Sequence, residues 1–165
     1  MKRIVAMAIS VILALALAAP TVLAQGQGGA PEEVDQTITV NPGDFPGSCD
    51  FPFTLELSGK GKTIELPGGK GLILTSPGLD VTITKGSLDN PEAQATYNIT
   101  GSVHQTTLEN GDVETVLTGR NFAIDPEAGT VVAIGRFSFV FDAEGNLVQS
   151  LTGEGQLIDV CEALS

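Results

Sequence analysis

Residues 51–57, FPFTLEL, alternate apolar and polar side chains and decide the fold class of this chain. The odd positions are Phe or Leu, and Thr54 and Glu56 stand between them. Residues 79–85 (LDVTITK) and 136–142 (RFSFVFD) alternate in the same way. Because neighbouring side chains of a strand point to opposite faces, these stretches predict strands with one buried and one solvated face.

Turn residues separate the alternating stretches. Asn110-Gly111 is the dipeptide that favours a type I′ hairpin, and DPEAGT at 125–130 indicates a longer hairpin loop. No long stretch after the N-terminal region has the 3.6-residue period of a helix. The chain is therefore predicted to be all-β, an antiparallel sandwich or barrel of about nine or ten short strands. Gly101 and Gly135 are the predicted positions of bends or bulges.

The N-terminal segment 1–24 is predicted to be a secretory signal peptide. A short basic start precedes an apolar run over residues 4–19, and Ala24 provides a cleavage site. The apolar run is shorter than the roughly 20 residues that a membrane-spanning helix needs. We expect cleavage after Ala24, a flexible Gly- and Gln-rich leader over residues 25–34, and a single β domain over residues 35–165. The protein is accordingly expected to be secreted.

The charge of the chain limits its partners. The whole chain has a net charge of −12, and removal of the basic residues Lys2 and Arg3 with the signal peptide leaves −14. Such a protein is repelled by phosphate backbones and anionic lipids, so we expect neither nucleic-acid binding nor membrane insertion after signal cleavage. We expect an extracellular or cell-envelope partner. The alternative is that the acidic charge only keeps the protein soluble.

Cys49 and Cys161 are the only cysteines. An even number of cysteines in an exported chain favours a disulfide. The flanking residues Asp50 and Glu162 are acidic, which disfavours the thiolate that a reactive cysteine needs. We therefore predict a Cys49–Cys161 disulfide, and a free or intermolecular thiol is the alternative.

Four segments carry a resemblance to known proteins. They are CDFPFTLELSGKGKT at 49–63, NITGSVHQTTLENG at 98–111, TGRN at 118–121 and DVCEAL at 159–164. Together they resemble an uncharacterised family of small secreted bacterial all-β proteins with no established activity. The resemblance implies an exported all-β protein and implies no chemistry.

Two loops are candidate ion sites. Asp142, Glu144 and Asn146 in the loop DAEGN concentrate oxygen atoms in the way that extracellular Ca²⁺ sites do, although acidic residues also favour turns on their own. A second candidate, for anion docking, consists of the three lysines that follow one another in a glycine-rich stretch of an acidic chain. These are Lys60, Lys62 and Lys70. SGKGKT at 58–63 does not match a phosphate-binding loop, because position 56 is Glu where that motif requires Gly.

Two further sets of side chains are candidates for ligand binding or catalysis. An apolar ligand inside a barrel of lipocalin type would contact four phenylalanines, Phe122, Phe137, Phe139 and Phe141. A hydrolase or isomerase would need His104, the only histidine, together with distant carboxylates and a serine such as Ser102 or Ser138.

No motif in the chain identifies an enzyme, a cofactor or a metal. We expect a secreted, disulfide-closed, acidic β domain that acts as a non-enzymatic binding or structural module, with no catalytic residues and no cofactor. The alternative is the lipocalin-like barrel that carries a small apolar ligand.

Overall fold

The computed structural model describes residues 30–66, 68 and 70–165. Nine strands and one short helix make up this part of the chain. They are β1 (Glu32–Val40), β2 (Phe53–Glu65), β3 (Gly71–Thr75), β4 (Asp80–Ser87), β5 (Asn90–Asn98), β6 (Ser102–Thr107), β7 (Val113–Asp125), β8 (Gly129–Phe141), β9 (Leu147–Asp159) and α1 (Val160–Ala163). The predicted all-β class and the predicted number of strands are confirmed.

All nine strands belong to one antiparallel sheet. Its order is β5-β4-β2-β3-β6-β7-β8-β9, and β1 pairs with the first part of β2. The sheet is not closed, so the barrel, one of the two predicted architectures, does not form. The first part of β2 lies between β1 and β4, and its last residues pair with β3.

A row of glycines crosses β7, β8 and β9. Gly119 pairs with Gly135, which pairs with Gly155. Gly101, just before β6, lies beside Gly119, where an added Cβ would be 3.2 Å from the Gly101 Cα. Gly135 has a φ of 137°, and a Cβ there would collide with the carbonyl oxygen of Glu154. Only glycine fits this row, and the strands bend along it without a register shift at Gly135.

The bend folds β7, β8 and β9 back on themselves. Asp125 pairs with Gly129, the first residue of β8. Leu151 lies next to Thr152 on β9, and Thr152 pairs with Ser138 in the second half of β8. In a straight strand, the nine steps from Gly129 to Ser138 would cover about 30 Å. The Asp125 carboxylate nevertheless accepts a hydrogen bond of 3.0 Å from the backbone N–H of Leu151.

The two faces of β8 contribute to two different hydrophobic clusters. Val132 and Ala133 are neighbours in the chain and fully buried, and they belong to the first and the second cluster respectively. The first cluster joins β1, β2 and β4 to β8 and α1, as two packed layers of a sandwich do, although both layers belong to one sheet. The second cluster consists of Leu117, Ala133, Phe137 and Phe139.

The predicted disulfide is present between Cys49 and Cys161, whose Cα atoms lie 5.4 Å apart. Cys49 precedes β2 and is 3% exposed, and Cys161 lies in α1. The Asp159 side chain caps α1 by accepting a hydrogen bond from the Glu162 N–H. The disulfide therefore joins the start of the central strand β2 to the C-terminal helical turn, beside the first hydrophobic cluster.

One strand boundary and one turn type differ from the sequence predictions. β1 begins at Glu32 rather than at the predicted domain start, because Val34 is buried in the first cluster and pairs with β2. The hairpin at Asn110 is not the predicted type I′ turn, which needs a positive φ at both central residues. Among the described residues only glycines have a positive φ, so Gly111 adopts one and Asn110 does not. The predicted signal peptide, residues 1–24, and leader residues 25–29 lie outside the described residues.

Candidate functional site

A row of side chains crosses six neighbouring strands on one face of the sheet. Pairing between adjacent strands places these residues directly opposite one another. Directly opposed residues of an antiparallel sheet point to the same face. The row, called here the His104 row, consists of Ile64, Ile73, His104, Val116, Ser138 and Thr152.

A second row lies one pair of residues further along the same strands and on the same face. This Arg136 row consists of Lys62, Thr75, Ser102, Thr118, Arg136 and Glu154. We call the two rows together the outer face. Its members are all exposed or half-buried, and neither hydrophobic cluster of the described residues includes any of them.

Strand alternation determines which side chains lie on this face. On β8, Phe137 and Phe139 point into the second hydrophobic cluster, so Arg136 and Ser138 point the other way. The neighbouring strand β7 repeats the pattern, with Leu117 buried and Val116 half-buried on the opposite side. The outer face is thus the reverse side of the layer that covers the second cluster.

A groove of about 230 Å³ crosses part of the outer face. Its walls come from β7, β8 and β9 and include Glu114, Val116, Arg136, Thr152 and Glu154. The volume is below the 300–1,000 Å³ that is typical of small-molecule sites. The groove therefore offers a contact for one protruding group more readily than a pocket for a whole ligand.

The charges on the outer face and in the groove balance. Lys62 and Arg136 provide two positive charges, and Glu114 and Glu154 provide two negative charges. Arg136 and Glu154 are directly opposed, yet among the described residues the only ion pair within 4.0 Å is Lys60–Glu33. The guanidinium and both carboxylates are therefore available to a partner, on a locally neutral surface of an otherwise acidic protein.

His104 lies at the centre of the outer face. It is exposed, as alternation from Val103 predicted, and its cross-strand neighbours are Ile73 and Val116. Ser138 lies two strands away, and Ser102 precedes His104 by two residues on β6. The described residues contain no group of three His, Cys, Asp or Glu side chains close enough to share a metal ion. The structure thus surrounds His104 with apolar side chains and hydroxyls.

The three lysines of the predicted anion site are not brought together. Lys60 forms an ion pair of 3.7 Å with Glu33, and both side chains are largely exposed. Lys62 belongs to the outer face, opposite Thr75. Lys70 precedes β3 and lies beyond the end of β2. Because β2 ends three residues after Lys62, the backbones of the two lysines are more than about 10 Å apart at the rise of a strand.

The four phenylalanines of the predicted ligand site lie in two different clusters. Phe122 packs against the first cluster, and the other three belong to the second or pack against it. The rings of Phe139 and Phe141 meet edge to face with centroids 5.7 Å apart. These contacts assign the phenylalanines to the packed interior, and the structure does not assemble the four around one cavity.

The predicted Ca²⁺ loop holds itself together by hydrogen bonds. Asp142 accepts bonds from the backbone N–H groups of Glu144 (3.0 Å) and Asn146 (2.7 Å) and from the Asn146 side-chain amide (2.8 Å). The bonds from Asn146, led by its side chain, lower the pKa of Asp142 below the ordinary carboxyl value. Both carboxylate oxygens of Asp142 therefore accept hydrogen bonds within the turn, and these bonds explain an Asp at position 142.

The outer face was not predicted from the sequence, apart from the orientation of His104. A signal for it was present, since RFSFVF places Arg136 and Ser138 opposite a run of aromatic residues. Alternation alone, however, does not say which face of the strand is covered.

Among the described residues, no helix is long and apolar enough to span a membrane. Comparison with family models, with curated proteins and with solved structures found no match to this chain.

Proposed function

We propose that this protein is an exported, non-enzymatic binding module that contacts its partner through the outer face. The observation that carries the proposal is the position of Ile64, Ile73 and Val116. These β-branched apolar side chains lie among hydroxyl groups on a face that no other described element covers. Apolar surface with a polar rim is typical of sites where proteins bind other proteins.

The scaffold supports a binding role because strand pairing, core packing and a disulfide constrain it. The outer face consists of paired strands rather than loops, and its reverse side packs on the second hydrophobic cluster. The Cys49–Cys161 bond closes the domain. A preformed surface loses little conformational entropy when it binds.

The charge distribution favours a partner surface without strong charge. The outer face is locally neutral, whereas the chain as a whole has a net charge of −12. The acidic remainder repels anionic partners, and the unpaired Arg136 and Glu154 can form hydrogen bonds at the rim. We therefore propose a neutral protein surface of the extracellular space or cell envelope. Export rests on the N-terminal segment 1–24 and agrees with the disulfide.

The experiment compares two isosteric substitutions in the mature protein, residues 25–165. Val116→Thr places a hydroxyl in the His104 row, and Val148→Thr makes the same change at a valine that is 57% exposed outside the outer face. Immobilised protein captures partners from the medium and envelope of the producing cells, and the binding of each captured protein is then titrated. We expect Val116→Thr to weaken binding about tenfold through loss of apolar contact.

The control variant Val148→Thr should bind like the unchanged protein. Partners that bind both variants equally well would refute the outer face as the binding site. If no protein is retained at any concentration tested, the proposed function itself fails.

A further inference from the structure

The edges of the sheet differ in how they are protected. The strands β1, β5 and β9 each have one side without a partner among the described residues. β1 begins with the sequence EEVD, and β5 carries Pro91 followed by Glu92. Charged residues and proline at an edge prevent another strand from adding to it. From Thr152 to Ile158, β9 has no proline and no lysine, and its only charged residue is Glu154.

The part of β9 from Thr152 to Leu157 is also left uncovered on both faces by the described residues. All six residues from Thr152 to Leu157 are exposed, although alternate residues of a strand usually face the core. Leu157 is one of the few large apolar side chains that remain exposed, at 40%. The preceding half of β9 is different, because register shifts opposite Ser138–Phe141 interrupt its pairing. The open, regular part of the edge is therefore the segment from Thr152 to Ile158.

We propose that this segment pairs in antiparallel fashion with the same segment of a second copy of the chain. The bend of the sheet selects the register. Gly155 lies in the glycine row, so a two-fold axis through Gly155 is the arrangement in which both bent edges follow each other. Any other register would place the bend of one copy against a straight part of its partner.

This register is complementary in charge and shape. With Gly155 opposite its own copy, Glu154 of each chain faces Gln156 of the other, and two Glu154 carboxylates never face each other. An amide opposite a carboxylate can donate a hydrogen bond across the strands. Leu157 lies opposite Gly153, which has no side chain and leaves room for it. Each of these contacts occurs twice, as a two-fold interface requires.

The interface is small and works against charge repulsion. Seven residues from each chain bury less than the 1,200–2,000 Å² of stable complexes, so the dimer is weak. Both copies are acidic, so association strengthens as salt screens their repulsion, between about 0.01 M and 0.15 M ionic strength.

The two-fold axis is perpendicular to the local sheet, so the dimer presents both outer faces on the same side. The use of both outer faces to bind one partner surface rests on the proposed function, whereas the dimer itself does not.

Sedimentation equilibrium of the mature protein, residues 25–165, tests the dimer through opposite charge changes at one position. Gln156→Glu creates two facing Glu–Glu pairs and should raise the dimer dissociation constant about fivefold. Gln156→Lys creates two Glu–Lys pairs and should lower it by a similar factor. Gln149→Glu and Gln149→Lys are matched controls, since Gln149 is exposed on the same strand but lies outside the segment from Thr152 to Ile158.

The double variant Glu154→Gln with Gln156→Glu tests the register itself. It exchanges the two residues at constant net charge, restores an amide opposite a carboxylate, and should dimerise like the unchanged protein. A monomer at all concentrations and at both ionic strengths would overturn the proposal. So would equal effects of the same charge change at positions 149 and 156, which would show a response to net charge alone. Sedimentation involves no binding partner, so this outcome is independent of the proposed function.

Discussion

The Asp125 carboxylate accepts a hydrogen bond from the backbone N–H of Leu151, 26 residues later in the chain, at 3.0 Å. The same carboxylate accepts bonds from the N–H groups of Glu127 and Ala128, and Asp125 is only 4% exposed. One buried side chain thus closes the β7–β8 turn and holds the bent β9 against it.

Replacement of Asp125 should destabilise the fold. Asp125→Ala removes the acceptor of three partly buried backbone N–H groups, and we expect the free energy of unfolding to fall by about 2–4 kcal/mol. Asp125→Asn retains one acceptor oxygen and should cost less. Urea unfolding measures both changes, and Glu127→Ala, an exposed change in the same turn, is the control. Equal stability of Asp125→Ala and Glu127→Ala would exclude this role for the carboxylate.

Loss of the disulfide should have the largest effect of any change described here. The bond joins residues 112 positions apart, so the chain-entropy estimate is about 4–5 kcal/mol for its removal. We expect the double variant Cys49→Ala with Cys161→Ala to show this loss in urea unfolding. The intact mass of the secreted protein after alkylation, with and without reductant, provides the direct check. Two alkylated thiols without reductant would contradict the bond.

The glycine row should not tolerate side chains. Gly135→Ala combines a positive φ with a collision against the Glu154 carbonyl, and we expect a loss of more than about 2 kcal/mol. Gly78→Ala is the matched control, because Gly78 also has a positive φ, of 74°, but has no atom within 4 Å of an added Cβ. The difference between the two variants in thermal unfolding isolates the close approach of β8 and β9. Equal losses would mean that backbone conformation alone matters at the bend.

The pKa of Asp142 should depend on Asn146. The folded chain lowers this pKa chiefly through the Asn146 side chain, so Asn146→Ala should raise it toward the ordinary carboxyl value. A lowered folded pKa stabilises the hairpin at pH values above the unfolded pKa, and this contribution is lost as the pH falls through the folded pKa. The amide chemical shifts of Glu144 and Gly145 report the titration by NMR. An unchanged titration in Asn146→Ala would assign the shift to the backbone bonds.

The strands were predictable because their signal is local. Alternation in FPFTLEL and RFSFVF identified β2 and β8 from neighbouring residues alone. β7 and β9 continue as single strands through Gly119 and Gly153, two glycines of the kind that also mark strand ends. A glycine that allows a bend and a glycine that ends a strand look alike in sequence, and only the neighbouring strand distinguishes them.

The candidate sites were harder to predict because they depend on distant pairing. Phe122 and Phe137 share the same apolar character, yet the bend assigns them to different clusters. Lys62 and Lys70 are close in sequence, but the run of β2 into β3 separates them. His104 pointed outward as alternation required, while its neighbours Ile73 and Val116 followed only from strand order.

The sequence by itself determined the all-β class, most strand positions and the pairing of Cys49 with Cys161, since each follows from local periodicity or from there being only two cysteines. Only the tertiary structure decided that the strands form one open sheet, that the glycine row bends it, and that the described residues leave the outer face and the β9 edge uncovered. The physical reason is that burial depends on what packs against each face. That is set by contacts between residues far apart in the chain, such as Asp125 and Leu151.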